Sequence, residues 1–438
     1  MSRAKNRRRT DESKRRSAWK RALGVVREHL KHARDGLLRR STITVLAIVL
    51  LGNVIVESES VHRYFPALLV GELRFHVLMS RFESQSERVN QIAVVDVDDD
   101  SFWNAPVFGR QPISTRYVAD LAMAAADSGA TVIATDFPAF AHFENTQSAV
   151  SPEDLDYLRK AVVRIHSLGI PIVAGRDVVE RDHRYRLGPA YLPSSAIPEG
   201  MTVGHLHIPE DPRQIPLRIR LDESSASIRD IGSFAMGIVA GYDTRNHIMP
   251  TTLDEPLLKR AIAKGKFVYG AFLPISGFWR ISARDLFNGS ADAKAACRGR
   301  IVIIGPTWHA FGPGRGPRFE EMLSPVGEVP ALYLHANYVA ALLDGHYRAP
   351  IPIGIALAIE FAIGLVIYGV YHALDGTSFA LAMAGLALGL AMAAYVMFSN
   401  SGWYLDFVPL LAACFIHVAW EHFHSYHHLA RRAGAPGR

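Results

Sequence analysis

The sequence predicts an extracytoplasmic α/β domain with a mainly parallel sheet, plus four transmembrane α-helices, one N-terminal and three C-terminal. Two observations lead there. Short runs dense in β-branched residues alternate with helix-length amphipathic stretches across the middle of the chain, the order that builds βαβ units and a parallel sheet. Apolar runs of near-spanning length stand before and after that middle. Charge supports the same partition. Through Arg40 there are fifteen Lys/Arg against four Asp/Glu, whereas the 438-residue chain carries only +6 in all. Everything after Arg40 is therefore net acidic, and the basic character belongs to a tail.

That tail, 1–40, could serve as a nucleic-acid arm. Beside an apolar run it reads more economically as a cytoplasmic orientation signal, and nucleic acid is not an expected partner. The run STITVLAIVLLGNVIV follows and is assigned as the first span, 41–57. From Val61 to Gln91 the chain has helical, amphipathic character with no run long enough to span. IAVVDVD then has the composition of a buried strand, ISTRYVADLAMAAADSGA that of a helix capped by Ser114 or Thr115 and ended at Gly129, and TVIATDF that of a second strand. SPEDLDYLRKAVVRIHSLG, opened by Ser151 and Pro152, and IPIVAGRDV repeat the pattern. SFAMGIVAGY reads as a short helix, KFVYGAF and RIVIIG as strands, and ALYLHANYVAALLDG as a helix with Gly345 past its end. The α/β domain is assigned to 58–349. Three apolar runs follow and are assigned as spans 351–371, 377–398 and 403–420, with a cytoplasmic His/Arg tail at 421–438. Four spans starting inside return the C-terminus inside, near Arg431, Arg432 and Arg438. Of two cysteines, Cys297 and Cys414, the second lies in an apolar run, so no disulfide is expected.

Three segments carry a family resemblance. They are ELRFHVLMSRFESQSERVNQIAVVDVDDDSF with the helix and ATDF after it, VGHLHIPEDPRQIPLRI, and RIVIIGPTWHAFGPGRGPRFEEMLSPVGEVPALYLHANYVAALLDG. Over roughly 72–346 the chain resembles the CHASE type-2 family, extracytoplasmic sensory domains of bacterial signalling proteins. The resemblance implies a sensor in an inner membrane with a periplasmic domain, one span before it and three after. There are departures. Family members usually carry Asp where Pro317 stands, Gly-Val-Glu where Ala331, Leu332 and Tyr333 stand, and Asp-Gly where Arg213 and Gln214 stand. They commonly continue into a cyclase or kinase domain, and no such signature follows the last span here. The expected function is a non-enzymatic sensory or binding protein that signals through its helical bundle to a separate membrane or cytoplasmic partner. The alternative is a structural subunit of a membrane or envelope complex. A homo-oligomer is compatible with either.

Candidate residues fall in four groups. Asp96, Asp98, Asp99 and Asp100 end the first strand and Asp136 the second, where open parallel sheets hold ligands. Adjacent carboxylates there suit a hard cation or, equally, a solvated capping turn. The glycine-rich loop 305–319, with Arg315 and Arg318, offers amides and guanidiniums to an anion but lacks a Walker ending. His335 joins the ligand-binding set from the last helix. Glu360, Gly385, Gly389 and His417 are candidates for helix packing or coupling in the membrane. His417, Glu421, His424 and His428 share one helix face and are weak metal candidates; interfacial residues are the plainer account. No metal and no cofactor are expected, and no catalytic signature is present.

Overall fold

The computed structural model describes residues 90–110, 113–138, 152–181, 184–187, 198–221, 230–265, 267–270, 272–324, 327–349, 353–374 and 376–401. The chain divides into two compact units, one holding the α/β domain and the other the helices that follow it.

Strand β1 (Ile92–Val97) is buried along its whole length, as its unbroken apolar composition requires of a central strand. A one-turn helix, α1 (Asp99–Trp103), follows and is capped by Asp98, whose carboxylate accepts from the Ser101 amide. Helix α2 (Thr115–Asp127) buries Tyr117, Leu121, Ala122, Ala125 and Ala126 along one stripe. Ser114 sits at its N-cap position without a side-chain bond, and Gly129 takes up the left-handed turn beyond its end at φ +85°. Strand β2 (Val132–Pro138), helix α3 (Pro152–Ser167) and strand β3 (Ile172–Arg176) complete the βαβαβ opening. Helices α2 and α3 are tied by Arg164 to Asp127 (2.8 Å) and by the Tyr157 hydroxyl donating to Asp120. A hairpin (Val178–Arg181 with Arg184–Leu187) leads on to strand β4 (Met201–His205).

Helices α4 (Phe234–Arg245) and α5 (Pro256–Ala263) precede strand β5 (Trp279–Ser282). Short helices α6 (Ala283–Phe287) and α7 (Ala291–Cys297) lead to strand β6 (Ile301–Pro306), which is fully buried. Helix α8 (Ala331–Asp344) ends at Gly345, left-handed at φ +69°. Beyond it lie α9 (Ile353–Ala373) and α10 (Gly376–Ser401).

The main sheet has six strands in the order β5-β1-β6-β2-β3-β4, every pair parallel. Alternate residues along each strand feed two separate cores. Ala93, Val95, Ile133, Ile172, Val302 and Ile304 pack with α2, α3, α6 and α7. Ile92, Val94, Val132, Val173, Ile301 and Ile303 pack with α4 and α8. The domain is thus a three-layer sandwich with helices on both faces. The expected α/β class with a mainly parallel sheet is the observed one.

The expected strand around Val268 is real but lies outside the main sheet, pairing antiparallel with Gln214–Ile215 and Tyr347–Arg348. Edge strand β5 was not expected. Of the four expected spans, 41–57 and 403–420 lie outside the described residues, and 351–371 and 377–398 fall largely within α9 and α10. Among the described residues, which leave out several side chains of both helices, no helix is long and apolar enough to cross a membrane.

Candidate functional site at the carboxyl ends of the strands

The segments after β1, β2 and β5 enter the layer of α2, α3, α6 and α7. The chain after β6 first packs Trp308 and Phe319 on that side and then crosses, through the paired strands Glu321–Ser324 and Gly327–Pro330, to the opposite layer as α8. Strand β6 lies between β1 and β2, so the chain departs to opposite faces at its carboxyl end. That divergence marks the crevice position at which doubly wound sheets place ligands. Asp96 from β1 and Asp136 from β2 flank it, and Gly305 of β6 lies between them. A Cβ on Gly305 would stand 2.7 Å from the Leu332 side chain and 3.0 Å from Cβ of Asp136. The bare glycine is what lets α8 and Asp136 close on the strand.

On the β1 side the polar groups satisfy one another. The Tyr333 hydroxyl lies 2.8 Å from both oxygens of Asp96. Arg280 Nε donates to Asp96 (3.2 Å) and to the Tyr333 oxygen (2.9 Å). Burial raises the Asp96 pKa, and the Tyr333 hydroxyl and Arg280 oppose the rise.

On the β2 side they do not. Asp136 is buried, and its Oδ1 is 3.7 Å from Nε2 of buried His335. Its Oδ2 has no hydrogen-bond partner among the described residues, and neither has either ring nitrogen of His205 or the hydroxyl of Thr307. His205 ends β4 and is 0% exposed; Thr307 follows β6 and is nearly as buried. Burial pushes Asp136 well above the carboxylate range, with the charge of Glu320 adding to the rise. Burial also pushes His205 and His335 down to about 3, so both imidazoles are neutral. Glu320 stands at the rim. Its residue surface is open to solvent, but protein surrounds the carboxyl closely enough to lift it to about 7, with Asp177 reinforcing the shift. His207, partly buried, faces Glu180 at 3.8 Å. The result is a buried set of neutral donors and acceptors whose hydrogen-bonding capacity is largely unused.

The acidic run after β1 is not one site. Asp98 caps α1, accepting from the amide and hydroxyl of Ser101 (2.9 and 2.7 Å). Asp99 fastens the glycine-rich loop, accepting from the amides of His309 (2.7 Å) and Gly314 (2.8 Å) and lying 2.7 Å from His309 Nδ1. Those donors hold its pKa below the usual value against the cost of partial burial. Asp100 is exposed and reaches Arg284 at 3.5 Å. All four carboxylates in the run therefore have protein partners: Asp98 and Asp99 hold local donors, and Asp96 and Asp100 face Arg280 and Arg284. Among the described residues no three His, Cys, Asp or Glu side chains are placed to hold a metal ion.

The structure gathers Asp96, Asp136 and His335 at the crevice and places Arg315 and Arg318 on the loop above it. Composition gave no reason to single out His205, Thr307 or Arg280. The side chain of Glu360, together with His417, Glu421, His424 and His428, lies outside the described residues. Gly385 and Gly389, on α10, have no described atom within 4 Å of a built Cβ.

In class, this is a doubly wound α/β sandwich in which several buried polar groups without partners stand at or just beyond the carboxyl ends of its strands, the end where such folds bind ligands. The chain belongs to the CHASE2 family: the model of the CHASE2 domain matches residues 43–371. CHASE2 domains are extracytoplasmic sensory domains. No curated relative and no solved structure matches it.

Proposed function

We propose that the chain is a membrane-anchored, non-catalytic sensor that binds a small polar ligand at the carboxyl ends of β2, β4 and β6. It reports occupancy through α8 and the following helices to a separate partner. The observation that carries this reading is the buried set of Asp136 Oδ2, both nitrogens of His205 and the Thr307 hydroxyl, all without partners among the described residues. Groups of this kind cost about 1–3 kcal/mol each when left unmade, so a fold that keeps them has a use for them. Helix α8 supplies His335 to the set and Tyr333 to Asp96, and eight residues, 345–352, separate its end from α9. A shift of α8 on the sheet is therefore the natural route out. The anchoring rests on the sequence, with apolar runs on both sides of the domain and a basic segment ahead of the first.

One observation favours the second reading, a structural subunit that keeps the fold without the ligand. Tyr333 stands where the family resemblance places glutamate, and it seals Asp96 instead of leaving a carboxylate open.

A thermal-shift screen of small polar solutes on the detergent-solubilised full chain separates the two. A compound that raises Tm in the parent but not in His205→Gln or Asp136→Asn supports the sensor. Equal shifts in parent and variants, or none while a stoichiometric partner set co-purifies, replace it with the structural subunit.

A further inference from the structure

Two loops project from the carboxyl edge of the sheet and share one base. The first, 104–110, follows α1; the second, 307–319, follows β6. Asp99 ties the second loop to the start of α1 through the His309 and Gly314 amides. Trp308 stacks on Phe102 with ring centroids 4.0 Å apart and packs against Phe319 at 4.9 Å. The second loop closes on itself, with the Ala310 amide donating to the Pro317 carbonyl (3.0 Å) and the Phe311 amide to that of Arg315 (3.3 Å). Each loop displays a phenylalanine, Phe108 at 64% and Phe311 at 75% exposure. Phe108 holds φ at +53°, the left-handed region that costs a bulky residue energy and that folds keep where the display is used. A Cβ at Gly316 would run into the Phe311 ring, so the bare glycine makes room for that ring.

Scattered exposed apolar side chains are ordinary on a protein surface. What distinguishes these two is the charge around them. Between them, 104–110 and 307–319 carry Arg110, Arg315 and Arg318 and no carboxylate, with Glu320 and Glu321 following at the base of the second loop, and none of the three guanidiniums holds an ion pair among the described residues. Aromatic anchors flanked by arginine form the composition of interface hot spots. Position completes the argument. Strand β1 enters at the amino edge of the sheet, and α8, which starts beside Asp96 at the carboxyl edge, runs back towards the amino edge. The start of β1 and the end of α8 therefore lie opposite the loop tip.

We infer that this tip is a docking surface for an acidic, partly apolar protein segment outside the cell membrane, with Phe108 and Phe311 as anchors and Arg110, Arg315 and Arg318 as the electrostatic complement. The surface is separate from the buried set around Asp136 and serves a sensor and a structural subunit alike.

The test measures fluorescence anisotropy of a labelled peptide of alternating Glu and Leu with the full-length chain in detergent. A Lys-Leu peptide is the charge control. The parent is expected to bind the Glu-Leu peptide in a salt-sensitive manner and to ignore the Lys-Leu peptide. Affinity is expected to fall at least tenfold in Phe108→Ser with Phe311→Ser and in Arg315→Gln with Arg318→Gln, but to hold in Val163→Ser, an exposed residue on α3. The arginine pair leaves every Asp99 contact in place, so it decides the matter if the phenylalanine pair fails to fold. The proposal is overturned if the parent does not bind the acidic peptide or if both peptides bind alike. It is equally overturned if the variants bind as the parent does. Loss of binding to phosphatidylglycerol vesicles in place of peptide would make the tip a lipid contact, and loss of self-association on sedimentation would make the occupant a second copy; either result displaces the proposal.

Discussion

Asp99 carries more of the local architecture than any other carboxylate near the crevice, because three donors from one loop converge on it. Asparagine retains one acceptor oxygen and turns an amino group towards the remaining donors. Asp99→Asn should therefore lower stability by about 2–3 kcal/mol, read as a fall in Tm. Because the folded pKa of Asp99 is depressed, the stability it contributes is present above its unfolded value near 3.8. It is lost as pH falls through the folded value, so the gap between parent and variant should close in strong acid. The buried set behaves differently. His205 and His335 are neutral when folded, so stability they permit at neutral pH is lost as pH falls from about 6.5 towards 3. Asp136 has a raised value, so its contribution is present below its unfolded value and lost as pH rises. The imidazoles and the Asp136 carboxyl therefore pull in opposite senses between about pH 4.5 and 6.5, and single substitutions expose them. Relative to the parent, His205→Gln should gain about 1.4 kcal/mol per unit as pH falls through that window, and Asp136→Asn should gain as pH rises through it. Parallel Tm-against-pH curves for parent and variants would show that the groups are not buried as described.

Among the elements, those that repay reading from sequence are the ones buried on both faces. β1, β2, β3 and β6 are continuous apolar runs because helices cover both sides of the sheet, and the capping glycine of α8 marks its end. β5 escaped notice because an edge strand of four residues with two exposed positions has no period to detect. The same physics limits the site. Asp96 and Asp136 are legible because carboxylates at the ends of apolar strands violate the local pattern, whereas His205 becomes remarkable only after β4 is laid against β3 and beneath α4. The close approach of α4 to β4 is also invisible in sequence. A Cβ on Gly204 would come 2.6 Å from the Phe234 Cα, backbone that a side-chain rotation cannot clear. Gly204→Ala should therefore cost about 1–3 kcal/mol through forced displacement of α4. Gly232→Ala, with open space around the built Cβ, should be neutral or slightly stabilising. Equal Tm values for the two variants would mean that α4 does not seat on β4 this closely.

At the scale of the whole molecule the sign of the charge along the chain bears most on the proposed function, since that proposal puts the domain and its partner on opposite sides of a membrane. Fifteen Lys/Arg precede the first apolar run and a net negative chain follows it. Positive segments resist translocation, so the N-terminus should stay in the cytoplasm, with the α/β domain outside and the arginine-bearing C-terminus inside. Thiol labelling in intact cells tests this directly. Cys297 is buried, and Cys414 is removed as Cys414→Ser to leave a quiet background. Met249, 83% exposed on the domain, then becomes the reporter as Met249→Cys, while Ser13→Cys and Gly434→Cys report the two termini. A membrane-impermeant maleimide should label the first without permeabilisation and the other two only after it. Labelling of all three in intact cells would detach the basic tail from any role as an orientation signal. Protection of Met249→Cys alone would place the domain in the cytoplasm, and the crevice around Asp136 would then sample cytoplasmic solutes instead of external ones.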